Sequence, residues 1–190
     1  MPGKKLFIGV EAALKGGCKF VQYRDKSDDA EKRLEDATRL LALCDKHNAT
    51  LIINDDLHLA HQIKAQGVHL GQGDGDVKAA RKLLGNHAII GVTCHDSLAF
   101  AEKAIADGAS YIAFGRFFSS NTKPDACPAP LNLLHEARIK FPDIMIAAIG
   151  GITIENAGEV LAAGANMIAV CNSLFAADDI ETQAKLFNSL

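Results

Sequence analysis

Polar side chains follow several apolar runs of this sequence, at the points where buried strands would end. In the stretch KFVQYRDK, Gln22, Arg24 and Lys26 occupy alternate positions and would share one face of an extended segment. A guanidinium beside an ammonium group suits a phosphate or diphosphate, because both are cations that donate hydrogen bonds. An Arg-x-Lys pair is also typical of a solvated strand end, so this motif alone leaves both interpretations open.

Carboxylates follow the next two apolar runs. Asp55 and Asp56 come directly after TLIIN, and Asp74 follows GVHL within the stretch GQGD. Asp55 and Asp74 lie one strand–helix unit apart, so we expect them at the same end of neighbouring strands, beside Asn54. Hard oxygen ligands of this kind suit Mg²⁺. One of the consecutive aspartates is expected to cap the following helix; we assign Asp56 to the cap and Asp55 to the metal.

The later apolar runs end in hydroxyl groups and glycines. AIIGVT ends in Thr93, whose hydroxyl can bind phosphate, and His95 is a candidate acid–base group, although histidines at such positions more often pack or cap. SYIAFG leads into the polar loop SSNTKPDACPAP, which exceeds the roughly two to six residues usual for such a connection. IMIAAI ends in Gly150 and Gly151, where backbone N–H groups can approach a phosphate.

These strand ends predict two anion-binding patches at one end of the fold. The first is cationic and metal-assisted, which suits a diphosphate, and comprises Arg24, Lys26, Lys123, Asp55 and Asp74. The second is neutral and glycine-rich, which suits a monophosphate, and comprises Gly151, Asn172, Ser120 and Thr122.

Seven short apolar runs alternate with helical patterns, which predicts parallel strands covered on both faces. The predicted strands are Lys19–Arg24, Thr50–Asn54, Gly67–Leu70, Ala88–Thr93, Ser110–Gly115, Ile144–Ile149 and Met167–Val170. The predicted helices include Asp28–His47, Asp96–Asp107 with Asp96 as N-cap, Thr153–Ala163 with Thr153 as N-cap, and Ala177–Leu190. Repeated strand–helix units predict an α/β fold, either a β/α barrel or a doubly wound sheet. Seven such strands favour a TIM (β/α)8-type barrel, in which residues 1–190 form a single domain.

An eight-stranded barrel would need one more strand at the N-terminal end. The segment KKLFIG precedes VEAALKGG, and its apolar residues continue the helical spacing of that segment. We therefore predict that the first helix begins here and that strand 1 of the barrel is missing or truncated. Such a barrel would expose two sheet edges.

Composition narrows the class of protein. The 190 residues carry a net charge of −3 and no basic run, which argues against a nucleic-acid partner. No secretory signal and no bilayer-length apolar run occur, which argues against a membrane partner. The cysteines are scattered without a CxxC pair, which disfavours disulfides and structural zinc and favours a reducing cytoplasm; they are Cys18, Cys44, Cys94, Cys127 and Cys171.

The motifs VQYRDK, LIINDD, GVHLGQGD, FGRFFSSNTKPDA and AIGGIT, in this order and spacing, resemble the thiamine phosphate synthase family. The resemblance covers the chain from Val10 onward. It implies a transferase of alkyl or aryl groups that acts in thiamine biosynthesis. Such an enzyme joins a hydroxymethylpyrimidine diphosphate to a thiazole phosphate and releases pyrophosphate, with Mg²⁺ as cofactor.

The resemblance also implies a role for each matching residue. Arg24, Lys26 and Lys123 would be catalytic, and Asp55 and Asp74 would bind Mg²⁺. The implied substrate-binding residues are Gln22, Tyr23, Arg24, Asp25, Lys26, Asn54, Thr93, Ser120, Asn121, Thr122, Lys123, Gly151, Cys171 and Asn172. The chain departs from the family where Thr93 replaces a serine, Ser120 replaces a threonine, and Cys171–Asn172 replaces an aliphatic–serine pair.

Two other functions stay open at this point. A thiazole tautomerase would use His95 for proton transfer, but it would need neither the carboxylates nor the TKPD motif. A catalytically silent ligand-binding barrel would follow if the missing first strand disabled the enzyme. The sequence does not determine the oligomeric state, and a homodimer is one alternative.

Overall fold

The computed structural model describes residues 3–119 and 129–190 and shows strands alternating with helices. The strands are β1 (Phe20–Tyr23), β2 (Thr50–Asn54), β3 (Gly67–Leu70), β4 (Ile89–His95), β5 (Tyr111–Phe114), β6 (Met145–Ile149) and β7 (Met167–Ala169). The helices are α1 (Lys4–Lys15), α2 (Ala30–Lys46), α3 (Leu57–Ile63), α4 (Val77–Leu84), α5 (Leu98–Ala106), α6 (Asn132–Lys140), α7 (Ile154–Ala162), α8 (Asn172–Phe175) and α9 (Ile180–Asn188).

The strands form one parallel sheet in the order β1 to β7. The register places Phe20 opposite Thr50 at one end of the order and Ala147 opposite Met167 at the other. The predicted α/β fold is confirmed as a TIM-like half-barrel of seven strands. Within the described residues β1 and β7 do not pair, so each leaves one edge of the sheet open.

The N-terminal segment is helical, as its apolar spacing predicts. Helix α1 begins at Lys4 and buries Val10, Ala13 and Leu14 on one face. That face packs against α9 and α2. No strand precedes α1 in the part of the chain that the structure describes, which confirms that the first barrel strand is missing there.

Side-chain caps start most of the helices. The side chains of Asp29, Asp56 and Asp179 each accept a hydrogen bond from the backbone N–H group three residues further on. Thr153 caps α7 as predicted, within a capping box with Asn156. These contacts satisfy N–H groups that have no partner within the helix itself.

Two predictions about the helices are wrong in detail. The N-cap of α5 is Ser97 rather than Asp96, because the Ser97 hydroxyl lies 3.3 Å from the Phe100 N–H group. The predicted terminal helix Ala177–Leu190 begins only at Ile180. Asp179 is its N-cap, because the Asp179 carboxylate accepts a hydrogen bond from the Thr182 N–H group in the first turn.

The two faces of the sheet differ in chemistry. Alternate strand residues such as Leu51, Ile90 and Ile146 are fully buried in one core beneath the helices. The opposite, inner face carries Gln22, His69, Thr93 and Tyr111, and it also carries Phe20 and Met145, which are 50% and 44% exposed. Those exposures show that the inside of the half-barrel is open near its unpaired edges.

Two arginines bind the loops at the N-terminal edge of the sheet. Arg81 of α4 donates to the carbonyl groups of Ala88 and Gly108. Arg138 of α6 donates to the carbonyl groups of Ile144 and Gly164. Each guanidinium therefore joins the loops that lead into two neighbouring strands.

Among the helices of the described part of the chain, none is long and apolar enough to cross a membrane.

Candidate functional site

The predicted polar residues meet at the C-terminal edge of the parallel sheet. Arg24 follows β1, Asn54 ends β2, and Thr93 lies near the end of β4. The Asp55 N–H group donates to the His69 carbonyl at 2.8 Å, which holds the end of β2 against β3. In parallel β/α folds this edge is where active sites are built.

Asp55 and Asp74 lie close together, as their spacing predicts. The pKa of the Asp55 carboxyl is raised, first because it is partly buried and second because the like charge of Asp74 lies next to it. The Arg24 guanidinium acts in the opposite direction and lowers the same pKa. The three side chains therefore form one charged cluster, which we call the Asp55–Asp74–Arg24 cluster.

Gly71 makes this approach of the two carboxylates possible. A Cβ atom at this position would collide with the Asp74 carboxylate and would lie 4.0 Å from Asp55 Oδ1. Gly71 is not among the residues predicted for the site, although its place between GVHL and Asp74 is a usable signal.

The two carboxylates fit a divalent cation that takes its remaining ligands from a substrate and from water. Among the residues that the structure describes, no group of three His, Cys, Asp or Glu side chains could hold a metal ion. Mg²⁺ is commonly held by one or two carboxylates, with substrate phosphates and water as the other ligands. Asp55 and Asp74 provide such a pair, and a cation there would relieve their repulsion.

Asp56 has the structural role that the sequence predicts. Its Oδ1 atom accepts from the Leu59 N–H group at 2.9 Å and caps α3. Its other oxygen lies 3.3 Å from the Arg33 guanidinium. The neighbouring Asp55 has a left-handed backbone conformation, with a φ of 64°.

The Asp25 carboxylate holds the loop that follows β1 through contacts with Ser27 and Lys32. Asp25 Oδ1 accepts from the Ser27 N–H group at 2.8 Å, and Lys32 binds the other oxygen. Lys32 also lies 3.1 Å from Asp36. The Lys32 ammonium and the Ser27 N–H group keep the pKa of Asp25 well below its usual range. Arg24 and Lys26 are exposed on this ordered loop.

Tyr23 occupies the opposite face of β1 from Gln22. Its ring belongs to the core beneath the helices, and its hydroxyl lies 3.4 Å from Asp25 Oδ2. Tyr23 and Asp25 thus contact each other and the loop, so their contribution to a ligand would be to position Arg24 and Lys26.

A set of hydrogen bonds that was not predicted from the sequence lies on the inner face. His69 Nδ1 lies 2.8 Å from the Tyr111 hydroxyl, and His69 Nε2 lies 2.8 Å from Thr93 Oγ1. Burial raises the pKa of the Tyr111 hydroxyl, and the Gln22 side chain acts in the opposite direction. His69 and Tyr111 stand within apolar runs, but strand alternation places each on the inner face, and that signal could have identified them.

The predicted glycine-rich patch is partly described. The Phe118 N–H group donates to the Gly150 carbonyl at 3.0 Å, and Asn156 Nδ2 donates to the Gly151 carbonyl at 3.1 Å. A Cβ atom on Gly151, where φ is +67°, would lie 2.7 Å from the Phe118 carbonyl carbon, so glycine is required for this packing.

The remaining predicted residues divide into two groups. Cys171 and Asn172 are exposed and follow β7 after Val170. Strand β7 is the neighbour of β6, which Gly150 and Gly151 follow. Ser120, Asn121, Thr122 and Lys123 lie outside the described residues. His95 is exposed at the end of β4, with a backbone φ of 52°.

The fold and site define a β/α-barrel protein whose charged cluster lies at the C-terminal strand ends. A sequence profile described as thiamine monophosphate synthase matches residues 1–174. A curated thiamine-phosphate synthase from Saccharophagus degradans is 58% identical over 176 residues, which are 93% of this chain and 81% of that protein.

Solved structures agree with this result. A thiamine phosphate pyrophosphorylase from Pyrococcus furiosus superimposes with a TM-score of 0.87 at 30% identity, covering 96% of this chain and 87% of that one. An enzyme of the same description from Bacteroides thetaiotaomicron gives 0.70 at 16% identity, covering 100% and 92%, and supports the fold alone. The chain belongs to the thiamine monophosphate synthase family. The predicted family is confirmed, and with it a transferase of thiamine biosynthesis.

Proposed function

We propose that this chain joins a hydroxymethylpyrimidine diphosphate to a thiazole phosphate and releases pyrophosphate, using Mg²⁺. The observation that carries the proposal is the Asp55–Asp74–Arg24 cluster. Two neighbouring carboxylates, of which Asp74 raises the pKa of Asp55, together with a guanidinium suit a metal-bound diphosphate better than either a neutral ligand or a lone phosphate.

The reaction is a substitution at the methylene carbon of the pyrimidine. The bond between this carbon and the diphosphate oxygen breaks, and its electron pair leaves with the pyrophosphate. The aminopyrimidine ring spreads the positive charge that develops on the carbon. The thiazole nitrogen then forms the new carbon–nitrogen bond with its lone pair. No protein nucleophile takes part, so this chain contributes by positioning and by electrostatic stabilisation.

The cations of the site stabilise the leaving group. Arg24 and Lys26 extend from the ordered loop after β1, and Lys123 is assigned to the same group by family resemblance. Mg²⁺, when bound by Asp55 and Asp74, would neutralise charge on the diphosphate oxygens. Asp25 and Tyr23 hold the loop so that Arg24 and Lys26 are presented together.

The inner face and the glycine-rich patch would hold the two organic parts. Gln22, Asn54 and Thr93 provide amide and hydroxyl groups for the pyrimidine ring. Backbone N–H groups near Gly151 would bind the thiazole phosphate, together with Ser120, Asn121, Thr122, Cys171 and Asn172.

Neighbouring aspartates allow a matched test. Asp55→Asn should lower kcat by about 100-fold or more, the scale seen when one group that stabilises transition-state charge is removed. Asp56→Asn keeps a side chain that caps α3, so its turnover should stay near that of the wild type. Both variants are measured by pyrophosphate release at saturating Mg²⁺. Turnover of Asp55→Asn within twofold of the wild type would overturn the assignment.

A further inference from the structure

A lysine on helix α2 contacts the loop that carries two of the proposed ligand cations. The Lys32 ammonium group binds Asp25 Oδ2 and lies 3.1 Å from Asp36 Oδ2. Asp25 stands between Arg24 and Lys26 in the loop that follows β1. Lys32 therefore contacts the one residue that separates these two cations in the chain.

The position of Lys32 within α2 is electrostatically unfavourable for a cation. Lys32 lies in the first turn of the helix, where its backbone N–H group donates to the Asp29 side chain at 2.9 Å. The helix dipole places partial positive charge at this end, so it favours anions there rather than a lysine. Contacts with two carboxylates offset that cost, which indicates that the ammonium group is placed here for those contacts.

Asp36 fixes the ammonium group from the core side. It lies one turn further along α2 than Lys32, on the buried face of the helix, and only 7% of the residue is exposed. A carboxylate that is buried to this extent needs a paired cation, because the loss of its hydration is costly. Lys32 is that cation, so its ammonium group is held between a buried anion and the loop.

Asp25 is the point at which the loop is held. Its Oδ1 atom accepts from the Ser27 N–H group at 2.8 Å. Its Oδ2 atom binds Lys32 and lies 3.4 Å from the Tyr23 hydroxyl. Both carboxylate oxygens are therefore used. The low pKa of Asp25, which Lys32 lowers most and the Ser27 N–H group lowers next, agrees with an ionised and fully paired carboxylate.

The consequence for a ligand follows from these charges. An unpaired carboxylate at Asp25 would attract the neighbouring side chains of Arg24 and Lys26, and would compete with a diphosphate for both of them. Because Lys32 binds Asp25, that competition is removed, and the two loop cations stay exposed. Lys32 would thus assist the ligand without touching it.

We propose that Lys32 is a positioning residue for the diphosphate, with Asp36 as its anchor. By neutralising Asp25, Lys32 leaves both loop cations free to bind the ligand. The inference rests on the proposed function, since it takes a metal-bound diphosphate as the ligand. It adds to that function a pair of residues on α2, outside the motifs from which the site was predicted.

Binding of inorganic pyrophosphate with Mg²⁺ tests the proposal. Pyrophosphate is titrated calorimetrically into the whole protein at saturating Mg²⁺. Lys32→Met keeps an unbranched side chain of good helix propensity and removes the charge. The Kd for pyrophosphate should therefore rise by about 10-fold, the equivalent of one charge-assisted hydrogen bond. Lys32→Arg restores a cation that can bind both carboxylates, so its Kd should stay within about threefold of that of the wild type.

Steady-state kinetics separate positioning from a general loss of structure. In Lys32→Met the KM for the pyrimidine diphosphate should rise by about 10-fold, because this substrate carries the diphosphate. The KM for the thiazole phosphate should stay within twofold, because its proposed site is the glycine-rich patch. A merely structural role of Lys32 would lower the Tm or the fraction of active protein and would leave both KM values unchanged.

Substitution of Asp36 tests the anchor. Asp36→Asn should raise the Kd for pyrophosphate by about threefold, because Lys32 loses a charge that fixes it. In the Lys32→Met background Asp36→Asn should cause no further loss, because it acts only through Lys32. The double variant also removes the buried carboxylate that Lys32→Met alone leaves unpaired, so it keeps the test available if the single variant does not fold.

Lys103→Met is the matched control. Lys103 binds Asp107, four residues further on, as Lys32 binds Asp36, but it does so at the end of α5. That end of the helix leads into β5 at the N-terminal edge of the sheet. Loss of this pair should leave pyrophosphate binding and both KM values unchanged.

The outcomes separate this inference from the proposed function. If the single or the double Lys32→Met variant binds pyrophosphate within twofold of the wild type, the inference is overturned. It is overturned as well if Lys103→Met weakens binding equally, or if the wild type binds no pyrophosphate. If Lys32→Met weakens binding and Lys32→Arg retains it, the inference holds, even if the wild type forms no thiamine phosphate. Absence of that product would instead contradict the proposed function.

Discussion

At the scale of single residues, the site depends on Asp55 and Asp74, two carboxylates that repel each other and that the fold holds close together. Partial burial and the charge of Asp74 raise the pKa of Asp55, and the absence of a side chain at Gly71 allows the approach. Keeping both groups ionised destabilises the metal-free protein. A bound cation would offset that cost, so the strain at these residues is itself a sign of a cation site.

This repulsion predicts a pH dependence of the metal-free protein. The folded state favours the protonated form of Asp55, so the pair's contribution to stability is greatest below about pH 4, the ordinary range of an aspartate. It is lost as the pH rises through the raised pKa of Asp55. Removing one charge should therefore stabilise the protein at neutral pH when no metal is present.

Asp74→Asn tests this directly. At pH 7 without metal its Tm should exceed that of the wild type by about 1–3 °C, the shift expected for a change below 1 kcal/mol in a chain of this size. Addition of Mg²⁺ should raise the Tm of the wild type and leave that of the variant unchanged. Calorimetric melts with and without EDTA provide the measurement, with Asp56→Asn as control. An equal Mg²⁺-dependent rise in Asp74→Asn and the wild type would refute the metal assignment.

At the scale of the elements, stability and chemistry are placed at opposite edges of the sheet. Arg138 of α6 donates to the Ile144 and Gly164 carbonyl groups at the N-terminal edge, while the charged cluster lies at the C-terminal edge. Arg138→Met leaves these carbonyl groups without their donor and should lower the free energy of unfolding by about 2–3 kcal/mol. The kcat should change little, because the residues that we propose to bind the substrates lie at the opposite edge of the sheet.

The control for this change lies on the same helix. Lys140 is exposed and pairs with Glu102 at 2.8 Å, so Lys140→Met should cost less than about 0.5 kcal/mol. Urea unfolding of both variants gives the comparison. Equal midpoints for the two variants would show that Arg138 does not hold the loops together.

The sequence predicts the elements well where both faces of a strand are covered. All seven strands were located within two residues, because parallel strands read as continuous apolar runs. The N-cap of α5 was misplaced since Asp96 and Ser97 are both good caps, and only the geometry at Phe100 distinguishes them. The site carboxylates were recognisable because charged residues stand out after apolar runs.

The inner-face residues were harder to recognise for the opposite reason. His69 and Tyr111 stand among apolar neighbours, so a linear reading assigns them to the core. Their hydrogen bond joins β3 to β5 across the intervening strand β4, and chain order does not reveal such a contact. Gly71 was missed for a related reason, because its importance lies in the two side chains that approach it.

At the scale of the whole molecule, seven strands carry a site that in barrels of this type is built on eight. Helix α1 packs against α9 and α2. The charged cluster and the described part of the glycine-rich patch lie in loops that follow strands present in the sheet. The open inner face, marked by the exposure of Phe20 and Met145, lies beside the unpaired edges. We therefore expect the chain to be catalytically competent rather than a silent binding barrel.

The most direct measurement is product formation by the chain itself. The protein is mixed with hydroxymethylpyrimidine diphosphate, thiazole phosphate and Mg²⁺, and thiamine phosphate and pyrophosphate are quantified together by mass spectrometry. We predict both products in equal amounts, only when both substrates are present, with turnover abolished by EDTA and restored by excess Mg²⁺. Binding of the substrates without either product, or turnover that is unaffected by the chelator, would contradict the proposed function.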